Sequence, residues 1–213
     1  VEIRWEGGTG TLFNIMSDNV TIKGLNLYPS SSFEGTAIQV ADGNNNHILE
    51  NYIGVQQGFE NGIYIAGNSA SNLIQFNQIA NNGNGLFAEN SGTQRFNSIL
   101  DNSFYCNGTG IDLQGSNEDI DPPVINEITR TTVSGTAPDF TLIEVYQDDD
   151  TGCMGVDCQG KTLLGKALSN SGGDWSIQLP FVYQQMNRAL TVTATATDED
   201  GNTSEFADCE TLR

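Results

Sequence analysis

The feature that most constrains the fold is a repeat of about 25 residues that runs from Gly10 to Gly115. Each repeat contains a segment in which two apolar or small residues flank one residue of variable type, which is the alternation of a β-strand. The first flanking column consists of Phe13, Ile38, Ile63, Leu86 and Ile111. The second flanking column consists of Ile15, Val40, Ile65, Ala88 and Leu113. This period predicts a β-solenoid in which each repeat forms one coil and equivalent side chains stack on each other.

A second part of each repeat has the same period and adds two further apolar columns. We assign Ile22, Ile48 and Ile74 to one column, from which Gln94 departs. We assign Leu27, Ile53, Ile79 and Ile99 to the other column. Each repeat therefore contains two or three short strands and almost no helical periodicity.

An asparagine column lies between these two apolar columns. It consists of Asn51, Asn77 and Asn97, with Leu25 at the equivalent position of the first repeat. Asparagine tolerates the left-handed backbone of tight turns, and its amide can donate to one neighbouring coil and accept from the other. We therefore expect a ladder of hydrogen-bonded asparagines along one turn of the solenoid.

The repeat resembles the right-handed parallel β-helix of the pectate-lyase-like superfold. The segments SDNVTIKGLNL (residues 17–27) and NSASNLIQFNQIANNGNGL (residues 68–86) carry this resemblance. It implies an all-β rod over residues 1–118, which we expect to be truncated at its N-terminal end because the first residues already alternate like a strand. Strand edges at the end of such a rod need to be covered, so we expect a second domain or a partner at its C-terminal end.

The pattern changes at SNEDIDPPVI (residues 116–125), which predicts a domain boundary near residue 118. About seven short alternating strands follow within residues 119–213 and predict a β-sandwich with Phe140 and Trp175 in its core. The ending TVTATATDEDGNTSEFA (residues 191–207) resembles the last two strands of bacterial immunoglobulin-like domains. That resemblance implies a secreted, multidomain, surface-attached protein.

The chain has four cysteines. Cys153 and Cys158 lie close together in one loop with no histidine nearby, which favours a local disulfide over a zinc site. Cys106 and Cys209 then pair with each other across the domains, or each pairs outside this stretch. Paired cysteines indicate an oxidising compartment, and thus an extracellular location.

The formal net charge of −19 argues against nucleic acid and anionic membranes as partners. No apolar run approaches the roughly 18 residues needed for membrane insertion. The acidic loops suggest calcium instead, with Asp119 and Asp121 in the linker and Asp198 and Asp200 before Gly201 as candidate ligands. The alternative is that these carboxylates form turns and a solvated surface.

The repeat region lacks the residue pattern of a carbohydrate-active enzyme. The one histidine, His47, stands apart from any acidic pair, and Glu50, Glu89 and Asp112 fall on different columns or coils. Hydrolysis of a glycosidic bond needs two opposed carboxyl groups, so we assign no catalytic residue and lean towards a protein that is not an enzyme.

The variable column between the two flanking columns places two aromatic residues on adjacent coils. Its members are Asn14, Gln39, Tyr64, Phe87 and Asp112. Tyr64 and Phe87 either contact the flat face of a sugar or pack on each other. Glycosylation sequons occur at Asn19, Asn107 and Asn202.

These observations together predict a structural, adhesive or filament-forming protein of the cell surface. Its expected partners are other copies or other domains of the same surface protein and glycans. Two alternatives stay open. One is a polysaccharide lyase or hydrolase whose active site lies outside this stretch, and the other is a trimeric phage-type fibre.

Overall fold

The computed structural model describes residues 1–89, 94–148, 153, 158–185 and 189–212. The regular structure of these residues is almost entirely β, with a 3₁₀ turn at Asn117–Asp119 and one short helix, α1, at Phe181–Gln184. The solenoid strands are β1 (Glu2–Trp5), β2 (Thr11–Ile15), β3 (Thr21–Lys23), β4 (Asn26–Pro29), β5 (Thr36–Ala41), β6 (His47–Leu49), β7 (Tyr52–Ile53), β8 (Asn61–Ala66), β9 (Leu73–Gln75), β10 (Gln78–Ala80), β11 (Asn84–Ala88), β12 (Ser98–Leu100), β13 (Ser103–Tyr105) and β14 (Thr109–Asp112). The remaining strands are β15 (Val124–Ile128), β16 (Thr132–Thr136), β17 (Leu142–Asp148), β18 (Thr162–Leu168), β19 (Asp174–Gln178), β20 (Leu190–Thr197) and β21 (Glu210–Leu212).

The solenoid has three faces, each of which is a parallel sheet that takes one strand from successive coils. Sheet A has the order β1-β4-β7-β10-β13, sheet B the order β2-β5-β8-β11-β14, and sheet C the order β3-β6-β9-β12. In sheet B, Phe13 pairs with Ile38, Ile38 with Ile63, Ile63 with Leu86, and Leu86 with Ile111. The stacked column predicted from the repeat is therefore confirmed.

The other two apolar columns are confirmed through Ile74 and Ile79, but their assignment in the next coil was wrong. Ile99 pairs with Ile74 in sheet C, and Phe104 pairs with Ile79 in sheet A. The sequence assignment had therefore placed Gln94 in the column where Ile99 lies, and Ile99 in the column where Phe104 lies. The cause is a long turn, because residues 89–97 separate β11 from β12 where only residues 67–72 separate β8 from β9. A short turn at residues 81–83 precedes β11 and compensates for these extra residues, so the overall period of the repeat changes little.

Amide ladders occur at all three corners of the solenoid rather than at one. The predicted ladder continues from Asn51 and Asn77 to Asn102, so the assignment of Asn97 was wrong. The second ladder consists of Asn46, Asn72, Asn97 and Asn117. The third ladder consists of Asn82, Asn107 and Gln159.

In most rungs of the ladders one side-chain oxygen is a double acceptor. The Oδ1 atom of Asn77 accepts from the backbone N–H of Asn51 at 2.9 Å and from its Nδ2 at 3.0 Å. The left-handed backbone expected of the ladder residues lies one position earlier, at Glu50 and Phe76 (φ of 54° and 58°). At these corners two successive residues have different roles. The first adopts the left-handed backbone that turns the chain, and the side chain of the second hydrogen-bonds to buried backbone groups.

The C-terminal strands form two small antiparallel sheets with the orders β15-β16-β19 and β18-β17-β20-β21. Residues of both sheets contribute to one buried hydrophobic cluster, which includes Val133, Val145 and Trp175. The predicted burial of Trp175 is confirmed, whereas that of Phe140 was wrong because this side chain is 59% exposed. Phe140 lies in the turn before β17 with a left-handed backbone (φ of 57°), so it does not share the inward alternation of the strand.

Candidate functional site

Two surfaces combine polar and aromatic side chains in a defined arrangement. The first, the aromatic face, is the outer side of sheet B. Its central column pairs Gln39 with Tyr64, Tyr64 with Phe87, and Phe87 with Asp112, as the repeat predicted. The ring centroids of Tyr64 and Phe87 lie 5.5 Å apart at an interplanar angle of 41°. The two rings therefore pack on each other while both stay partly exposed.

Glu89 fixes the orientation of Tyr64. The hydroxyl of Tyr64 donates to Glu89 Oε2 at 2.6 Å, and the backbone N–H of Gly67 donates to Glu89 Oε1 at 3.0 Å. The hydrogen bond to Glu89, followed by burial, raises the pKa of Tyr64 to about 12. The hydrogen bond from Tyr64, followed by that from Gly67, lowers the pKa of Glu89. At neutral pH the aromatic face therefore presents a neutral phenol that is held in place by a carboxylate.

A column of hydroxyl and amide side chains runs beside the aromatic column, and the two are joined where the hydroxyl of Thr11 donates to Gln39 Oε1 at 3.0 Å. Its members are Thr11, Thr36, Asn61, Asn84 and Thr109. The Nδ2 atom of Asn84 donates to Asn61 Oδ1 at 2.9 Å. A partly exposed ring pair beside a row of amides and hydroxyls is the combination that can stack on a sugar ring and hydrogen-bond its hydroxyl groups.

The three carboxylates considered at the sequence level have separate partners. Glu50 pairs with Lys23 at 2.8 Å, Glu89 binds Tyr64, and Asp112 accepts from Gln114 at 2.7 Å. These contacts are those of surface ion pairs and turns. Of the sequons, Asn19 is exposed, whereas Asn107 and Asn202 are fully buried and use their side chains in hydrogen bonds.

The four candidate calcium ligands border two different cavities. Asp198 and Asp200 line a cavity of about 360 Å³, and Asp119 and Asp121 line one of about 200 Å³ together with Glu205. Asp198 Oδ1 accepts from the backbone N–H groups of Asp200 and Asn202 at 3.0 and 2.8 Å, and its Oδ2 accepts from the Nδ2 of Asn202 at 2.8 Å. Both oxygens of Asp198 thus take part in a turn, and calcium binding stays a prediction.

The predicted disulfide between Cys153 and Cys158 was wrong. Cys106 is bonded to Cys153 and Cys158 is bonded to Cys209, with Cα–Cα distances of 5.1 and 5.6 Å. Cys106 follows β13, so the first disulfide joins the solenoid to the loop after β17. Cys153 thus bonds to the residue after β13 of the solenoid, and Cys158 bonds to the residue before β21. The pairing of Cys106 with Cys209 that the sequence analysis considered was therefore wrong as well.

The second surface, the junction, is the contact between the last coil (residues 94–113) and the C-terminal sheets. Backbone N–H groups of this coil donate across the junction, from Asp101 to Glu144 at 3.0 Å and from Asn107 to Gln159 at 3.1 Å. The backbone N–H of Phe104 donates to the carbonyl of Gly160 at 2.9 Å. The expectation that a second part of the chain covers the C-terminal end of the rod is confirmed.

A partly buried charge cluster lies in the junction. The ammonium of Lys166 lies 2.6 Å from Asp101 Oδ1 and 2.6 Å from Glu144 Oε1, and Tyr146 donates to Glu144 Oε2 at 2.7 Å. Glu144 has no exposed surface. Burial disfavours the charge on Lys166, but the hydrogen bonds to Asp101 and Glu144 outweigh it and raise the pKa of this ammonium. Burial, reinforced by the charge of Glu144, raises the pKa of Tyr146 well above its usual range.

Periodicity could not find the junction residues. Asn117 and Gln159 extend two amide ladders from positions outside the repeat, and Glu144 lies between the apolar residues Ile143 and Val145 of β17. A carboxylate flanked by apolar residues of a strand is the sequence signal that could have indicated a buried polar contact here. Among the described residues, no helix is long and apolar enough to cross a membrane.

Comparison with known proteins agrees with this architecture. No curated protein matches the chain significantly. The family model described as "Right handed beta helix region" matches residues 2–149, which is more than half of the chain. The stacked columns, the three parallel sheets and this match together show that the chain belongs to the right-handed β-helix family.

Proposed function

We propose that the chain is a structural and adhesive segment of a secreted cell-surface protein, in which the solenoid is a stiff rod and the C-terminal sheets are an immunoglobulin-like module. The observation that carries the proposal is the continuous bonding along the rod. Three parallel sheets and three buried amide ladders connect each coil to the next. Such bonding resists bending and leaves the outer faces available for contacts.

Charge and disulfides support the extracellular part of the proposal. A net charge of −19 keeps a protein soluble, and it repels nucleic acid and anionic membranes. Two disulfides are compatible with an oxidising compartment. The pair of antiparallel sheets with one shared cluster supports the immunoglobulin-like assignment of residues 119–213.

The test is to locate the protein and to assay it for cleavage. Antibodies against the chain should label intact cells of the source, and a panel of acidic and neutral polysaccharides should stay uncleaved after incubation with the full-length gene product. Labelling that requires permeabilised cells would overturn the extracellular assignment. Release of unsaturated or reducing sugar ends would favour the lyase or hydrolase alternative.

A second candidate function is glycan contact at the aromatic face, and the exposed ring pair of Tyr64 and Phe87 favours it. The surrounding acidic groups favour neutral sugars over uronates, because like charges repel. Tyr64→Ala and Phe87→Ala should each weaken binding to a neutral oligosaccharide, measured by calorimetry. Phe76→Ala is the matched control, because Phe76 is 53% exposed at a different corner. Equal binding by all four proteins would exclude this face.

A further inference from the structure

We infer that residues 198–206, DEDGNTSEF, are a recognition element by which the C-terminal sheets bind and cap the open end of the β-helix, beside the contacts of Glu144, Gln159 and Gly160. We call these residues the capping segment. Its binding surface fits one kind of partner, the terminal coil of a parallel β-helix with unpaired backbone N–H groups. This role goes beyond the proposed function, in which the C-terminal sheets are a separate module behind the rod.

The first argument is that side chains of the capping segment replace the acceptors of a missing coil. Asn202 Oδ1 accepts from the backbone N–H of Phe96 at 2.5 Å, and Thr203 Oγ1 accepts from that of Ile99 at 2.9 Å. Glu205 Oε1 accepts from the backbone N–H of Leu113 at 2.7 Å. Within the solenoid the following coil supplies such acceptors, as where Ser71 donates to the carbonyl of Arg95. Three polar residues of the capping segment thus satisfy N–H groups that a truncated coil would leave buried and unpaired.

The second argument is that the capping segment ends an amide ladder. Asn117 accepts from the backbone N–H of Asn97 at 2.8 Å, and its Nδ2 donates to the carbonyl of Thr203 at 2.9 Å. The hydroxyl of Ser98 donates to the carbonyl of Gly201 at 3.0 Å. The segment therefore supplies backbone acceptors as well as side-chain acceptors to the last coil.

The third argument comes from the core. A Cβ atom added at Gly85 would lie 2.6 Å from the carbonyl oxygen of Gly110 in the next coil. At Gly110 itself the added atom would meet Gln159 Cγ at 2.9 Å and the ring of Phe206 at 3.0 Å. Phe206 also packs edge-on against Phe104, with centroids 5.6 Å apart, and belongs to the hydrophobic cluster of the solenoid. This ring therefore occupies the place that a further coil would take.

Hydrogen bonds within its own turn and to β20 hold the capping segment in the conformation that contacts the coil. Asp198 accepts three hydrogen bonds from Asp200 and Asn202, which orients the Asn202 side chain towards Phe96. Thr203 Oγ1 lies 2.9 Å from Thr197 Oγ1. Asp198, a candidate calcium ligand at the sequence level, is on this evidence a positioning residue for the cap.

Capping has a consequence for association. The last strands of sheets A, B and C would otherwise present open edges, and open strand edges pair with other chains. A weakened cap should therefore expose the terminal coil to a second copy of the chain.

The test is hydrogen–deuterium exchange of the intact chain, read by mass spectrometry of peptides. Thr203→Val removes the acceptor for Ile99 with little change in shape, and Glu205→Ala removes the acceptor for Leu113. Glu199→Gln is the control, because Glu199 is exposed on the same turn. Peptides from residues 94–113 should exchange about fivefold faster in the first two variants, the factor that corresponds to about 1 kcal/mol per lost hydrogen bond. Peptides from residues 11–66 and the control variant should exchange at the parent rate.

Two outcomes would overturn the inference. One is parental exchange of residues 94–113 in both variants, and the other is acceleration confined to the C-terminal sheets. The triple variant Asn202→Ala, Thr203→Val, Glu205→Ala extends the test to association. Light scattering should show concentration-dependent assembly of this variant and a constant mass for the parent. A triple variant with the mass of the parent would refute the edge-protection role.

Discussion

Replacing Lys166 with methionine should destabilise the whole chain through the charge cluster of the junction. The substitution keeps most of the aliphatic stem but removes the ammonium that lies 2.6 Å from both Asp101 and Glu144. Glu144 has no exposed surface and would stay buried without its cation. Removal of one partner of a buried ion pair costs about 3–5 kcal/mol. Because the Lys166 side chain is 35% exposed and solvent screens part of the interaction, we expect about 2 kcal/mol.

The assay is urea unfolding followed by tryptophan fluorescence. The chain has two tryptophans, of which Trp5 packs on the solenoid core and Trp175 lies in the C-terminal cluster. Trp5→Phe and Trp175→Phe backgrounds therefore report on the two parts separately. If the junction couples them, Lys166→Met should lower both midpoints together with an unchanged slope.

Two further variants separate the charge effect from general damage. Lys23→Met is the matched control, since Lys23 pairs with Glu50 at 2.8 Å but both side chains are about half exposed, and it should cost at most about 1 kcal/mol. Adding Glu144→Gln to Lys166→Met removes the unpaired carboxylate, so the double variant should be more stable than the sum of single effects by about 1–2 kcal/mol. Strict additivity, or an equal loss in the Lys23 control, would refute the reasoning.

Five other predictions concern the ladders, the aromatic face, the cavities and the oligomeric state. Asn77→Ala should lower the free energy of unfolding by about 2–4 kcal/mol, because it leaves several buried groups of neighbouring coils unpaired, whereas exposed Asn68→Ala should change it little in the same urea assay. The folded pKa of Tyr64 is raised to about 12 from 10.0, so its hydrogen bond to Glu89 stabilises fully below pH 10 and is lost as the pH rises towards 12. Ultraviolet titration of Tyr64→Phe should lack one of the late-titrating tyrosines of the parent. The lowered pKa of Glu89 predicts the opposite pH dependence: its contribution to stability is present above about pH 4.5 and is lost as the pH falls through the pKa of the folded state. Acid unfolding of Glu89→Gln, compared with the parent, measures this contribution. If the acidic loops bind calcium, a concentration of about 100 times Kd adds about 2.7 kcal/mol of stability, and an unchanged Tm during a calcium titration would end that prediction. A trimeric solution mass would favour the fibre alternative, and a monomer would count against it.

The sequence predicted most where the repeat is regular and least where the chain leaves it. Phe13, Ile38 and Ile63 stack as expected, because a constant period in a solenoid forces equivalent residues to be neighbours. The fourth coil was assigned out of register because a long turn before β12 and a short turn before β11 compensate each other. The partners of Asn97 and Ile99 were therefore wrong although the total period was right.

The candidate sites were likewise predicted correctly where they lie on regular strands and wrongly where they lie in loops. Tyr64 and Phe87 were placed together correctly, since strand alternation determines which residues share a face. The disulfide partners could not be found this way, because a loop can reach any element near it in space and spacing within the loop carries no information about that element. Only Trp175 of the two proposed C-terminal core residues is buried, because alternation says nothing about a residue in a turn.

The amino-acid sequence by itself determined the rod, namely its β-strands, its coil period and the apolar columns that fill it. These are local and repeated properties, so each coil restates them. The tertiary structure alone decided how the rod ends, through the capping segment, the charge cluster of Glu144 and Lys166, and the disulfide from Cys106 to Cys153. Such contacts occur once and join parts of the chain that are distant in sequence. They form where the last coil has backbone N–H groups that no further coil pairs with.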